Sequence, residues 1–136
     1  TGKANLVFMH FPLGFHENAR PAAMAAECAG DQNKFWEMHD KLFENQDSLS
    51  TENYQVWAGE LGLDMEVFNE CLSSEKYAEL IDSDFQKGVD VYVGGTPSFI
   101  VKNELIVGAQ PVSAFEAILG WELLKSSLKT FLYSFF

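Results

Sequence analysis

The sequence has 136 residues, 47% of them hydrophobic and 21% charged, which is typical of one globular domain with a hydrophobic core. The net charge is −11 and the nine Lys and Arg residues are scattered, so we expect neither a nucleic acid nor a membrane surface as a partner. No stretch reaches the about 18 apolar residues that a membrane-spanning helix needs. The first residues lack an initiator Met and a signal-peptide pattern, which favours a processed or truncated product and leaves the cellular location unassigned.

Apolar runs and capping residues divide the first two thirds of the chain into predicted elements. The run from Asn5 to Phe11 is apolar at odd and even positions, which predicts a strand covered on both faces. Helices follow over 22–28, 32–43, 52–61, 65–72 and about 75–92. Their predicted caps are side chains with a short polar group: Asp31, Ser50 or Thr51, Asp64, and Ser73 or Ser74. Residues 19–92 are therefore predicted to form an all-helical block.

The stretch 93–101 is the most distinctive part of the sequence. A Gly94-Gly95 pair is followed by Thr96-Pro97 and then by the short apolar strand 98–101. Proline is found at the first residue of a strand, and its bond to the preceding residue is a candidate cis bond, with a trans bond as the alternative. A polar turn at 102–104 leads to a second strand, 105–107.

The last predicted element is a helix that begins near Val112 and reaches at least Lys125. Apolar residues then continue at spacings of three and four to the end of the chain, which predicts that the helix continues with them. These residues are Ile118, Trp121, Leu124, Leu128, Phe131 and Phe135.

Residues that could carry chemistry are few. Cys28 and Cys71 are far apart and no Cys-x-x-Cys occurs, so two free buried thiols and one structural disulfide both remain open. The three histidines lack the spacing of metal ligands, and we expect structural roles for them, with no metal and no cofactor: His10, His16 and His39. Three aromatic residues at helical spacing are expected in the core rather than in a ligand pocket: Phe35, Trp36 and Phe43.

Three stretches resemble the DsbA-like thiol–disulfide oxidoreductases. They are residues 10–46, residues 68–72 with Tyr77, and residues 94–101 with 108–111. The resemblance covers roughly residues 4–124 and implies an α/β, thioredoxin-like fold with an inserted helical domain. Residues 1–12 and 93–136 would then form the thioredoxin-like part, and residues 19–92 the inserted helical part of one DsbA-like domain.

The resemblance also implies roles for individual residues. Gly95, Thr96 and Pro97 would form the family's Thr–cis-Pro loop, which faces the redox pair and offers backbone hydrogen bonds to an extended substrate segment. In some relatives the cysteines matching Cys28 and Cys71 form a structural disulfide. Related proteins with the same insertion bind glutathione near this loop, so a thiol ligand is an alternative to an extended peptide.

One departure from the family bears on function. The family's catalytic Cys-x-x-Cys lies on a strand–helix unit upstream of the strand matching 5–11, and only four residues precede that strand here. We therefore expect a fold that is incomplete at the N-terminus and a non-catalytic binding or remnant module. Two alternatives are a fragment of an active oxidoreductase whose Cys-x-x-Cys lies upstream of residue 1, and a protein that serves assembly alone.

The missing strand would be central, between the strands at 5–11 and 98–101. The gap could be closed if the flanking strands meet, if a second chain donates an element, or if the apolar tail 128–136 folds back. Among these we expect a homodimer, through an exposed strand or through apolar residues of the C-terminal helix. Those helical residues are Trp121, Leu124, Leu128, Phe131 and Phe135.

Overall fold

A computed structural model of the chain describes residues 4–101, 104–125 and 130–135. Its elements in chain order are β1 (Ala4–Met9), α1 (Ala19–Gly30), α2 (Phe35–Glu44), a short 3-10 turn (Gln46–Ser48), α3 (Thr51–Glu60), α4 (Met65–Ser73), α5 (Ala78–Asp90), β2 (Ser98–Val101), β3 (Glu104–Val107), α6 (Val112–Lys125) and β4 (Thr130–Phe135). Within the described residues, every helix is too short or too polar to cross a bilayer.

The chain divides into two compact units. Unit 1 comprises Thr1–Phe11 and Asp84–Phe136, and unit 2 comprises Pro12–Ser83. Unit 1 carries the four strands, and unit 2 carries α1 to α4 and the first turns of α5. The boundaries inferred from the sequence, with the helical part ending at residue 92, stay a prediction.

Unit 2 is built around a core of small and apolar side chains. Ala25, Ala29 and Ala58 are fully buried, so the helices that carry them approach closely, and Met38 and Phe68 fill the space between them. Two of the expected N-caps are confirmed by their side-chain hydrogen bonds. The Ser50 side chain accepts a hydrogen bond from the Asn53 N–H at the start of α3, and Asp64 caps α4 in the same way.

Two helices begin three residues later than the sequence predicts, for one physical reason. Asn33 and Glu75 adopt left-handed backbone conformations, with φ of 61° and 51°. In each case the next amide bonds to a carbonyl of the preceding helix, which closes that helix with a turn. As a result α2 begins at Phe35 and α5 at Ala78. Asp31 follows α1 as its C-cap, so the expectation that it caps α2 is wrong.

The expectation that all three aromatic residues of α2 lie in the core is also wrong in part. Met38 and Leu42, four residues apart, form the buried face of this helix, and Phe35 packs beside them half-buried. Trp36 and Phe43 each follow a residue of that face by one position, which turns them about 100° away from it. Both are exposed.

The four strands of unit 1 form one sheet in the order β1-β4-β2-β3. β4 runs parallel to β1, from Ala4 opposite Thr130 to Met9 opposite Phe135. β2 is antiparallel to both of its neighbours, β4 and β3. β1 and β3 are the edges of this sheet, and β4 lies between β1 and β2, where the sequence predicts a missing strand.

The prediction of a helix that continues to the end of the chain is therefore wrong beyond α6. Phe131 and Phe135 lie in β4, and Leu128 lies outside the described residues. Thr, Phe and Tyr favour strands, and a helix here would leave the facing backbone groups of β1 and β2 unpaired. Ser134 is 1% exposed, and its hydroxyl donates to the carbonyl of Val7. Of the three ways to close the gap, the structure shows the tail folding back.

Candidate functional site

The loop before β2 is held in place at both of its ends. Val93 and Ser98 are buried on either side of it. The Ser98 hydroxyl donates to the carbonyl of Gly95 at 2.6 Å, and the Gly108 N–H donates to the carbonyl of Pro97 at 2.8 Å. The bond between Thr96 and Pro97 is cis. The structure thus brings the predicted site residues together in one anchored turn, which we call the Thr96 loop (Gly94–Pro97).

Thr96 is exposed, as is Gly94 at the start of the turn. Within the described part of the chain, no group donates to its carbonyl or accepts from its N–H. A backbone N–H and C=O that are fixed in position and unpaired are what an added extended segment requires. The geometry of the loop therefore suits recognition of a polypeptide backbone.

The two glycines before Thr96 leave its approach open. A side-chain carbon added at Gly94 or Gly95 would meet no atom within 4 Å, and neither residue has a left-handed backbone. A larger side chain would fit there without strain. Gly95 directly precedes Thr96 in the chain, which makes it a useful position for testing access to the loop.

The Thr96 loop lies where three strands meet. Phe135, at the end of β4, pairs with Met9 at the end of β1 and with Ser98 at the start of β2. The loop is thus placed at the carboxyl edge of the parallel pair, where ligands commonly bind in open sheets of α/β proteins.

A buried carboxylate that the sequence did not indicate lies just beyond β1. Asp84 is buried, accepts a hydrogen bond from the His10 N–H at 3.3 Å and pairs with Lys87 at 3.2 Å. Phe11 and Phe85 stack next to them, with ring centroids 4.6 Å apart. A lone Asp on a helix resembles a solvated residue in sequence, so no pattern could have identified it.

The two cysteines lie together in the helical unit, away from any exposed surface. A disulfide joins Cys28 of α1 to Cys71 of α4 across a sequence separation of 43 residues, with 5.8 Å between their Cα atoms. Both are buried in the core of unit 2. Neither sulfur is available as a thiolate nucleophile while this bond is intact.

An ion pair stands at the end of the same helix α1. Asp31 accepts hydrogen bonds from Lys76 at 2.7 Å and from the Tyr77 hydroxyl. The hydrogen bond from Lys76, followed by that from Tyr77, holds the pKa of Asp31 below its usual value. This cluster joins α1 to the turn before α5, so we assign it a structural role.

The histidines do not assemble into a site in the described structure. His10 is buried beside Phe8, His16 contacts Phe15 in an exposed turn, and His39 pairs with Asp40. Across residues 4–101, 104–125 and 130–135, no group of three or more His, Cys, Asp and Glu side chains could hold a metal ion.

Comparisons with known proteins find one family model and several curated relatives. The model of the DSBA-like thioredoxin domain matches residues 2–120. Similar curated proteins are "Na(+)/H(+) antiporter NhaA 1" of Salinispora arenicola, 40% identical over 113 residues, and "Na(+)/H(+) antiporter NhaA 3" of Salinispora tropica, 38% identical over 112. "Na(+)/H(+) antiporter NhaA" of Herminiimonas arsenicoxydans is 33% identical over 113 residues.

These matches cover 82%, 82% and 83% of this chain but only 17%, 17% and 18% of the relatives, so the chain spans about a sixth of their length. No solved structure matches. The match to the family model extends over both units of the chain, and several helices with a small four-stranded sheet fit an α/β, thioredoxin-like fold. The chain therefore belongs to the DSBA-like thioredoxin domain family, which is a thiol–disulfide oxidoreductase-like family with an α/β, thioredoxin-like fold.

Proposed function

We propose that this chain is a DsbA-like domain that binds an extended polypeptide segment at the Thr96 loop without exchanging disulfides itself. The observation that carries the proposal is the exposed, unpaired backbone of Thr96, held between two buried residues. Strand addition at such a point needs backbone groups alone, so the loop can act without a nearby thiol.

The chemistry of thiol–disulfide exchange supports the non-catalytic half of the proposal. Exchange begins with attack by a thiolate, and the family mechanism needs a second cysteine three residues on to resolve the mixed disulfide. The printed sequence has only Cys28 and Cys71. They are bonded to each other and buried in unit 2, whereas the Thr96 loop belongs to unit 1.

The relatives suggest the setting in which the domain works. The three proteins named above are Na(+)/H(+) antiporters, and this chain matches about a sixth of each. We propose that the chain is one domain of a longer protein of that kind and that it receives its peptide segment there. The coding sequence on both sides of the printed residues would test this setting directly.

Peptide binding can be measured with a probe that has no thiol. Reduced, S-carboxymethylated insulin B chain, labelled with fluorescein, would be titrated with the protein and followed by fluorescence anisotropy. We expect saturable binding by the wild type. Gly95→Val should weaken it by at least about tenfold, because it adds a branched side chain to the residue directly before Thr96.

Gly14→Val is the matched control for this experiment. Gly14 lies in unit 2, is exposed, and also has no atom within 4 Å of an added Cβ. The control should bind as the wild type does. Absence of saturable binding by the wild type, or equal affinity of the Gly95→Val variant, would contradict the proposal.

The second candidate function is authentic disulfide exchange with a Cys-x-x-Cys outside the printed residues. This second function is supported by the loop with Pro97 and by its flanking strands, because the family mechanism uses both. In this case we propose that the family's first strand and helix stand upstream of residue 1, and that strand would have to displace β4. Acceleration of dithiothreitol-driven insulin reduction by this chain would refute the first proposal, and an upstream Cys-x-x-Cys in frame would favour the second.

A homodimer is a separate proposal. Phe131 and Phe135 lie in strand β4, so a helix that reaches them does not form and we do not propose that route again. We retain the route through an exposed strand, because the edge strand β3 carries exposed Leu105 and Val107. Light scattering that shows a stable monomer at micromolar concentration would exclude it.

A further inference from the structure

Helix α5 ends in a backbone conformation that its sequence does not favour. The Val93 N–H donates to the carbonyl of Gly88 at 2.9 Å and the Tyr92 N–H to that of Val89 at 3.0 Å, which is the Schellman pattern of helix termination. This pattern places Tyr92 in the left-handed region, with φ of 64°. Glycine is the usual residue there, and a bulky aromatic residue is an outlier that destabilises the fold.

The Tyr92 ring does not offset this strain by packing. It is 88% exposed. Its side chain makes no hydrogen bond, ion pair or ring contact with any residue in the described part of the chain. Strained residues are typical of functional sites, so a strained residue with a solvent-exposed side chain indicates a role in binding rather than in folding.

The position of Tyr92 close in sequence to the Thr96 loop indicates that this role is in peptide binding. It lies four residues before Thr96, and the next residue, Val93, is buried and anchors the chain at that point. On the other side of the loop, Val107 is exposed next to Gly108, which bonds to Pro97. Two exposed side chains thus flank the Thr96 loop: Tyr92 precedes it in the chain, and Val107 pairs with Ser98 directly after it.

We infer that Tyr92 determines which segment the Thr96 loop accepts, by contacting a large apolar side chain of the bound peptide. The inference rests on the proposed function. Exposed tyrosines with a fixed backbone are frequent anchors at interfaces, because they supply large contact area with few rotatable bonds. The ligand class is an extended peptide that carries Phe or Leu beside the residue paired with Thr96.

The test compares two labelled decapeptides of alternating Ser and Gly. One carries a central Phe-Leu pair, and the other has Ser at both of those positions. Fluorescence anisotropy should give about tenfold tighter binding of the Phe-Leu peptide to the wild type. Tyr92→Phe should keep this preference, because the ring is retained. Tyr92→Gly should remove it and raise the thermal midpoint by a few degrees, since glycine relieves the strain.

Glu75→Gly is the matched control, because Glu75 also has a positive φ, lies in unit 2 and is exposed. It should raise the midpoint similarly and leave the peptide preference intact. A wild type that binds both peptides equally, a Tyr92→Gly variant that keeps the preference, or one that melts lower would each overturn the inference. A wild type that binds neither peptide would instead refute the proposed function.

Discussion

Ser134→Pro tests whether residues 130–135 form the central strand. Ser134 stands in β4 between Phe8 of β1 and Phe99 of β2. It is 1% exposed, and its hydroxyl donates to the carbonyl of Val7 at 3.3 Å. Proline removes both the backbone N–H and this hydroxyl, and its ring does not fit the interior of a sheet.

The expected loss can be worked from these contacts. A buried acceptor left without its backbone donor costs about 1–3 kcal/mol, and the hydroxyl bond contributes about 1 kcal/mol more. We therefore expect Ser134→Pro to lower the free energy of unfolding by about 3 kcal/mol. In a chain of 136 residues this corresponds to a drop of about 10 °C in the thermal midpoint. Ser134→Ala, which keeps the backbone donor, should cost only about 1 kcal/mol.

Urea unfolding followed by circular dichroism measures both values. Thr51→Pro is the matched control, because Thr51 is the first residue of α3, where proline is well tolerated. It should change the free energy of unfolding by less than about 0.5 kcal/mol. If Ser134→Pro also stays within about 0.5 kcal/mol of the wild type, residues 130–135 do not lie in the sheet centre and the reasoning is refuted.

Two further predictions concern unit 2. Cys28→Ala, Cys71→Ala and the double variant should each lose about 3–4 kcal/mol, because any one of them opens the same loop, of sequence separation 43; single losses of about 1 kcal/mol that add in the double variant would show two separate thiols. Asp31→Asn removes the charge that attracts Lys76. Since Lys76 lowers the pKa of Asp31 in the folded state, the stabilisation is present above about pH 4 and is lost as the pH falls below that value. The variant's deficit in urea unfolding, about 1 kcal/mol at pH 7 because Lys76 is half-exposed, should shrink toward zero near pH 2, and a constant deficit would contradict this assignment.

Local sequence signals were sufficient for much of the fold. The caps Ser50 and Asp64 mark their helices because a side-chain oxygen has to satisfy the first free N–H groups. The apolar run that became β1 and the Gly-Gly-Thr-Pro stretch before β2 were equally readable. These signals depend on residues close in sequence, so they survive without knowledge of the tertiary structure.

The features that the sequence did not predict depend on residues that are distant in the chain or on unusual backbone dihedral angles. Phe131 and Phe135 fit a helical spacing, and a short apolar run does not distinguish helix from strand. Residues 130–135 form a strand rather than a helix because, as β4, they pair with both β1 and β2. Positive φ at Glu75 and Tyr92 has no sequence signal, because such residues rarely adopt it.

The backbone amide of Thr96 provides the most direct test of the account. In a ¹H–¹⁵N correlation spectrum, its resonance would be followed during titration with unlabelled, S-carboxymethylated insulin B chain. We predict that the Thr96 amide shifts to saturation with the binding curve and exchanges more slowly with solvent, because a peptide carbonyl accepts its hydrogen bond. An unchanged Thr96 amide in a saturated complex would contradict the central claim that this loop binds polypeptide backbone.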